Sequence, residues 1–423
     1  MNILVVGGGG REHAIIKALK KNSDVKTVYC LPGNGGIQGD AECYPVGAKN
    51  IPMIVHFAKT HRIDYAVVAQ DDPLALGCVD ALASVGVPAF GPDKKAARIE
   101  ASKVFAKELM KKYGIPTARY EAFTESEKAL AYVETCPVPT VVKADGLALG
   151  KGVTVCMTRE EARRAVIAAM EDRAFGDAGS SIVIEEYLEG PEVSVLSFTD
   201  GETLVPMISS MDHKRAHDGD EGPNTGGMGT VAPNPYYTPE IAAECMERIF
   251  LPTVRAMAAE GCPFKGCLYF GLMLTKDGPK VIEYNCRFGD PETQVVLPLL
   301  KSDLLTVMRA VTEGRLAETP VEFSDKSAAC VIIASKGYPV KYESGFKIEL
   351  PAPEEGREIY VAGAEAREDG LYSKGGRVLG VTAVAGSLKE AVREAYAYAE
   401  KVKFENGFMR RDIGARALRL LEE

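Results

Sequence analysis

The sequence predicts a multidomain fold of mixed α/β and α+β class, on three observations. The chain is 423 residues long, room for about three domains. Over the first 92 residues, apolar strand-like runs alternate with amphipathic helix patterns, which implies a parallel sheet covered on both faces. Farther on, Asp200-Gly201 and Asp277-Gly278 each separate two strand-like runs, so a largely antiparallel region follows.

Residues 3–6 form a short β-rich run that stops at Gly7. Gly7 to Gly10 turn the chain, and 12–20 carries Ala14, Ile15, Ala18 and Leu19 on one helical stripe. Residues 25–31, 65–69 and 87–90 read as further strands, with helices over 51–61, capped by Asn50, and 74–85. One long helix is expected over 94–112, stopped by Gly114 and Pro116. A second α/β segment runs to about 190, with capping boxes at Thr124/Glu127 and Thr158/Glu161. Between those helices lie an apolar strand ending at Lys143 and a glycine-rich loop, 144–152. Residues 213–235 are polar and rich in Gly and Pro, which reads as a long functional or mobile loop. From about 326, strands are expected around Cys330 and over 377–384, then a helix capped by Ser387 with Glu390.

Composition narrows the function. With 50 basic and 59 acidic residues the net charge is -9, a poor match for non-specific nucleic-acid binding. The longest apolar runs fall far short of the roughly 20 residues of a membrane span, and no basic segment precedes an apolar one at the N-terminus. The ten cysteines are scattered without a Cys-x-x-Cys, which argues against a zinc site or disulfide framework and for reduced thiols in a cytoplasmic protein.

Five constellations carry chemistry. Gly7–Gly10 lies at a strand-to-helix turn that suits an anion. A dinucleotide fingerprint would need glycine where Glu12 stands, so a sugar-phosphate fits better than a nicotinamide cofactor. Lys143, the following glycines and Lys151 suit a triphosphate, the backbone approaching the phosphates and the lysines offsetting their charge. Residues 182–192 run from an apolar strand into an acidic linker that can offer backbone to an adenine edge and a carboxylate to ribose. Glu283, Asn285 and Arg287 alternate along a strand and share one face, a row that makes sense beside a metal–phosphate. Asp212-His213-Lys214-Arg215, followed by the 222–229 glycine loop, resembles an acceptor site with oxyanion donors; His213 is a candidate acid or base, although a lone histidine more often serves as a structural hydrogen-bonding group.

Together these motifs resemble the phosphoribosylamine–glycine ligase (glycinamide ribonucleotide synthetase) family of the ATP-grasp superfamily. The resemblance runs the length of the chain and is most specific at Arg287-Phe-Gly-Asp-Pro-Glu-Thr-Gln294, Asp212-His-Lys-Arg and Pro223-Asn-Thr-Gly-Gly-Met-Gly229. It implies an N-terminal pre-ATP-grasp domain over 1–100, an ATP-grasp core over 101–122 and 191–325, a mobile lid over 123–190 and a small C-terminal α/β domain over 326–423. It implies ATP with Mg²⁺ or Mn²⁺, the metal on Glu283 and Asn285. Lys103, Lys143 and Lys151 would meet the phosphates, Glu185 and Leu188 adenine, and Glu192 the ribose. Arg287 and Lys214 would be catalytic. Gly10, Arg11, Asp71, Asp212 and Asp290 would bind glycine and 5-phosphoribosylamine, joined through glycyl phosphate. A monomer or weak homo-oligomer without nucleic-acid or membrane partners is expected. Gly8 stands where the family usually has Asn, Asp71 where it usually has Glu, and Leu149 where it usually has Ala. The first two changes favour a different acceptor amine; the 287–294 signature argues against one.

Overall fold

The computed structural model describes residues 1–147 and 152–422. The N-terminal part is a five-stranded parallel sheet in the order Glu42–Cys43, Thr27–Pro32, Asn2–Gly7, Tyr65–Val68, Ala89–Phe90. Its central strand is buried from Ile3 to Val6, as expected for a parallel strand with both faces covered. The chain reverses from Asn2–Gly7 into the helix Gly10–Leu19, so the glycine turn sits at the carboxyl end of the sheet, where open α/β sheets bind ligands.

Two expected helices are each broken in two. Residues 74–85 become Asp71–Ala75 and Cys78–Ala83, because Gly77 between them has φ +84°. The stretch 94–112 becomes Arg98–Ala101 and Lys103–Tyr113. Ser102 between these two is extended, and its hydroxyl accepts the Phe105 N–H to cap the second helix. The break turns Glu100 and Lys103 toward one cleft.

The segment after 119 is a four-stranded antiparallel sheet, ordered Tyr120–Phe123, Ile182–Glu186, Thr140–Ala144, Val153–Cys156, under two helices. The Thr158/Glu161 box forms; at the other helix Glu125 precedes the first turn and no side chain caps it. Beneath lies a second antiparallel sheet, ordered Leu204–Pro206, Glu192–Thr199, Gly266–Thr275, Gly278–Asn285, with the two predicted Asp-Gly hairpins as its turns.

Residues 213–235 are not a loose loop. Arg215–His217 and Glu221–Asn224 pair as a hairpin, and Gly229–Ala232 pairs antiparallel with Ser327–Ser335 of the C-terminal sheet. Arg410, 2% exposed, donates to the Arg215 carbonyl and Asp220 and pins the hairpin from the chain's end. No helix among the described residues is long and apolar enough to cross a membrane.

Candidate active site

Two cavities meet at one loop. The larger, about 1070 Å³, opens at the carboxyl end of the parallel sheet between Gly8, Gly9, Lys49, Gln70, Asp72, Tyr338 and Gly363. The other, about 950 Å³, runs between the two antiparallel sheets. Arg11, Asp290 and Arg377 line both.

Glu12 explains why the glycine turn is no dinucleotide loop. Its carboxylate is fully buried and accepts the Gly9 N–H at 2.6 Å, filling the space above Gly7. Burial, opposed by Arg11, pushes its pKa up. Gly8 and Gly9 face the cavity; Gly10 does not, because a Cβ there would lie 2.6 Å from the Gln294 amide. Asp72 faces the same cavity, ion-paired to Lys49 at 2.9 Å. Asp71 instead lines the second cavity. Burial opposes its charge, but Arg287 and Arg11 outweigh it and hold its pKa down.

In the second cavity Lys103, Lys107 and Lys143 converge from the helix Lys103–Tyr113 and the strand Thr140–Ala144. Lys103 donates to the Gly146 carbonyl at 3.1 Å, tying core to lid. Burial lowers its pKa, and the neighbouring Lys143 adds to this. Glu185 is 4% exposed, and its carboxylate bridges Lys107 (3.2 Å) and Lys143 (3.0 Å). Its backbone pairs on both sides, with Tyr120 and Val141, so the open linker beyond it, through Leu188, faces the cavity. Lys151 and Leu149 lie outside the described residues.

Glu283, Asn285 and Arg287 do share the cavity face. Burial pushes the Glu283 pKa up, but Lys214, Lys143, Lys103 and Arg287 outweigh it, and the net shift is downward. Lys214 Nζ sits 3.1 Å from Glu192 and 3.9 Å from Glu283. Burial opposes the Arg287 charge, but Glu100 and Asp71 hold its pKa above that of free arginine. Its buried Nε has no hydrogen-bond partner among the described residues. Asp212 is pushed well up, first by burial and then by Glu292, whose carboxylate accepts the Tyr269 hydroxyl at 3.0 Å.

His213 is not an acid or base here. Its Nδ1–H donates to the Gly229 carbonyl (3.0 Å) and its Nε2 accepts the Gly414 N–H (3.1 Å). Burial pushes its pKa down to about 4. His13 is similarly committed, accepting the Val361 N–H at 2.8 Å and donating to Asp40 at 3.1 Å. Arg11 donates to the Phe288 carbonyl (3.1 Å) and Arg377 to those of Asp290 and Gly226 (2.7 Å each), so the 287–294 loop is gripped from both ends of the chain. Arg377, Glu100, Lys107 and Glu292 were not singled out by sequence. The one available signal was for Glu292, inside the 287–294 motif.

The phosphoribosylglycinamide synthetase models match residues 1–100 (N domain), 101–293 (ATP-grasp (A) domain) and 328–416 (C domain). The phosphoribosylamine–glycine ligase of Caldanaerobacter subterraneus subsp. tengcongensis is 47% identical over 98% of this chain and 100% of its own. The trifunctional purine biosynthetic protein adenosine-3 of Gallus gallus is 45% identical over 100% of this chain and 43% of its own. The crystal structure of phosphoribosylamine–glycine ligase from Thermotoga maritima is similar with TM-score 0.86 and 35% identity, covering 98% of this chain and 100% of that one. The biotin carboxylase domain of Hydrogenobacter thermophilus 2-oxoglutarate carboxylase, with MgADP, is similar at TM-score 0.74 and 18% identity over 100% and 94% of the two chains, a likeness of fold alone.

Proposed function

The chain belongs to the phosphoribosylglycinamide synthetase family, and from that premise we propose how its two joined cavities run the family's reaction. The protein is an ATP-dependent carbon–nitrogen ligase of purine biosynthesis, joining glycine to 5-phosphoribosylamine to give glycinamide ribonucleotide, ADP and phosphate. The glycine carboxylate takes the terminal phosphoryl group of ATP, giving glycyl phosphate and ADP. The amine then attacks the acyl carbon, phosphate leaves, and the nitrogen gives up a proton. Such chemistry asks for positioning and charge neutralisation more than for a nucleophile on the protein.

The observation that carries this reading is the junction of the two cavities at Arg11, Asp290 and Arg377. An activated carboxylate formed in the lysine-lined cleft is there within reach of an amine held over the parallel sheet. In the cleft, Lys103 and Lys143 bind the phosphates; Lys151, assigned to them as well, lies outside the described residues. The linker from Glu185 to Leu188 holds adenine and Glu192 the ribose. Glu185 itself acts through its carboxylate, which keeps two buried lysines in place. Arg287 stabilises charge on the transferring phosphoryl group, its unpartnered Nε–H a donor in reserve. Lys214 and Asp212 orient glycine, and Arg11, Asp71 and Asp290 line the path of the amine; Gly10 supports that loop from behind, against Gln294.

Glu283 and Asn285 fit Mg²⁺ or Mn²⁺. Both offer oxygen donors, and Asn285 Oδ1 accepts no hydrogen bond from the described residues. Among the described residues no group of three or more His, Cys, Asp or Glu could hold a metal, so phosphate oxygens and water would complete the shell. The ion, when bound, supplies charge neutralisation on the phosphates.

The test is ADP release from Mg-ATP with glycine and freshly made 5-phosphoribosylamine each omitted in turn. Release that needs both is expected. Release with glycine and an unrelated primary amine would overturn the acceptor.

A further inference from the structure

An asparagine can ligate a cation only through its amide oxygen; the NH₂ end is a donor. Position on a strand does not decide which end faces the cleft, so some neighbour must. In this fold that neighbour is Glu100, 8% exposed, on the short helix Arg98–Ala101 that Ser102 separates from the next. One carboxylate oxygen accepts from Asn285 Nδ2 at 2.9 Å and from Arg287 Nη2 at 3.0 Å. The other accepts the Cys286 backbone N–H at 2.7 Å. Three consecutive residues, the last of the strand Gly278–Asn285 and the two after it, are thus held by one side chain from another element.

A carboxylate offers only acceptors, so Asn285 must turn its NH₂ toward Glu100 and its oxygen toward the cleft. The same contact fixes the plane of the Arg287 guanidinium. We propose that Glu100 is a positioning residue that sets the Asn285 amide oxygen-outward for the metal and aims Arg287 at the phosphates. This rests on the assignment of Asn285 as a metal ligand above, and the experiment separates the two.

The probe is Mn²⁺, followed by electron paramagnetic resonance as it binds the full-length protein with ADP. Four proteins are compared: the parent, Asn285→Ala, Glu100→Leu, and the swap Glu100→Gln/Asn285→Asp. The Glu100→Leu change removes the acceptor that holds the Asn285 NH₂, so nothing sets the amide oxygen-outward for the metal. Mn²⁺ binding should weaken about 10-fold or more. In the swap, the carboxylate introduced on the strand accepts from the amide introduced on the helix and still offers an oxygen outward. Binding should recover to within about 3-fold of the parent, which a merely structural loss at Glu100 would not allow. Thermal unfolding of each variant checks the fold. If Asn285→Ala binds Mn²⁺ like the parent, the metal assignment fails and takes this inference with it. If Asn285→Ala is weakened but Glu100→Leu is not, or if the swap does not recover, the inference alone is overturned.

Discussion

Glu185 stands between two lysines from different elements, 3.2 Å from Lys107 on a helix and 3.0 Å from Lys143 on a strand. All three side chains are almost wholly buried. Burial pushes Lys107 down to about 8, against the pull of Glu185, so the carboxylate is what keeps Lys107 charged at neutral pH.

Glu185→Gln should therefore cost more than a surface pair would. Breaking a buried pair by removing one partner costs about 3–5 kcal/mol. The thermal transition should fall by several degrees and ADP should bind at least tenfold more weakly. Adding Lys107→Met to that variant should restore the transition. Unchanged ADP affinity by titration calorimetry would count against Glu185 as the holder of the lysines.

Arg287→Lys keeps the charge but loses the fork that reaches both Glu100 and the Phe288 carbonyl. We expect kcat to fall about 100-fold or more, with the dissociation constant of ADP changed by less than threefold. Steady-state rates beside equilibrium ADP binding settle it; a pure KM effect would show that Arg287 only binds.

Arg377 ties the signature loop to the 222–229 loop, donating to the carbonyls of Asp290, Gly226 and Gly227. Arg377→Met should raise the KM for 5-phosphoribosylamine about tenfold, the weight of one charged hydrogen bond, and leave ATP affinity alone. A parallel rise in both would mean that the loop serves the nucleotide as well.

His213 carries a pH signature. Its pKa falls from 6.5 to about 4 on folding, because burial outweighs the Gly229 carbonyl, which pulls the other way, and the nearby Arg410 adds to the fall. Between those values the unfolded chain takes up a proton that the folded one refuses. Stability from this group is therefore full above about 6.5 and is lost as pH falls toward 4, by ~3 kcal/mol in all. Denaturant unfolding at pH 7.5 and 5 should show a smaller difference in His213→Asn than in the parent, while the pH profile of kcat keeps its shape.

Much of this architecture is legible in the residues, and what is not has a physical cause. The buried run at Ile3–Val6 and the two Asp-Gly hairpins are local signals, and they form as read. The split at Ser102 is not legible, since 94–112 is helical in pattern throughout and only the Phe105 cap outcompetes continuation. Gly229–Ala232 reads as loop because its partner strand lies far along the chain. In the site, Glu283, Asn285 and Arg287 announce themselves by alternation. Glu100 and Arg377 look like ordinary surface charges until distant segments meet them.

Gly8 tests a related point. A Cβ there would lie 2.5 Å from the Gly33 carbonyl oxygen, so an asparagine at this position needs the loop to move. Gly8→Asn should destabilise the protein by about 2 kcal/mol and weaken amine binding. Unaltered thermal stability would show that the loop yields freely.

The strand Gly229–Ala232 belongs by sequence to the middle of the chain and by pairing to its end. On the ribosome it emerges long before Ser327–Ser335 exists. Until then its backbone is paired on one side only, with Met211–Asp212, and neither the pin of Arg410 on the hairpin nor the grip of Arg377 can be in place. The nascent protein thus carries an open edge through much of its translation, and a chaperone that shields such edges would find its client there.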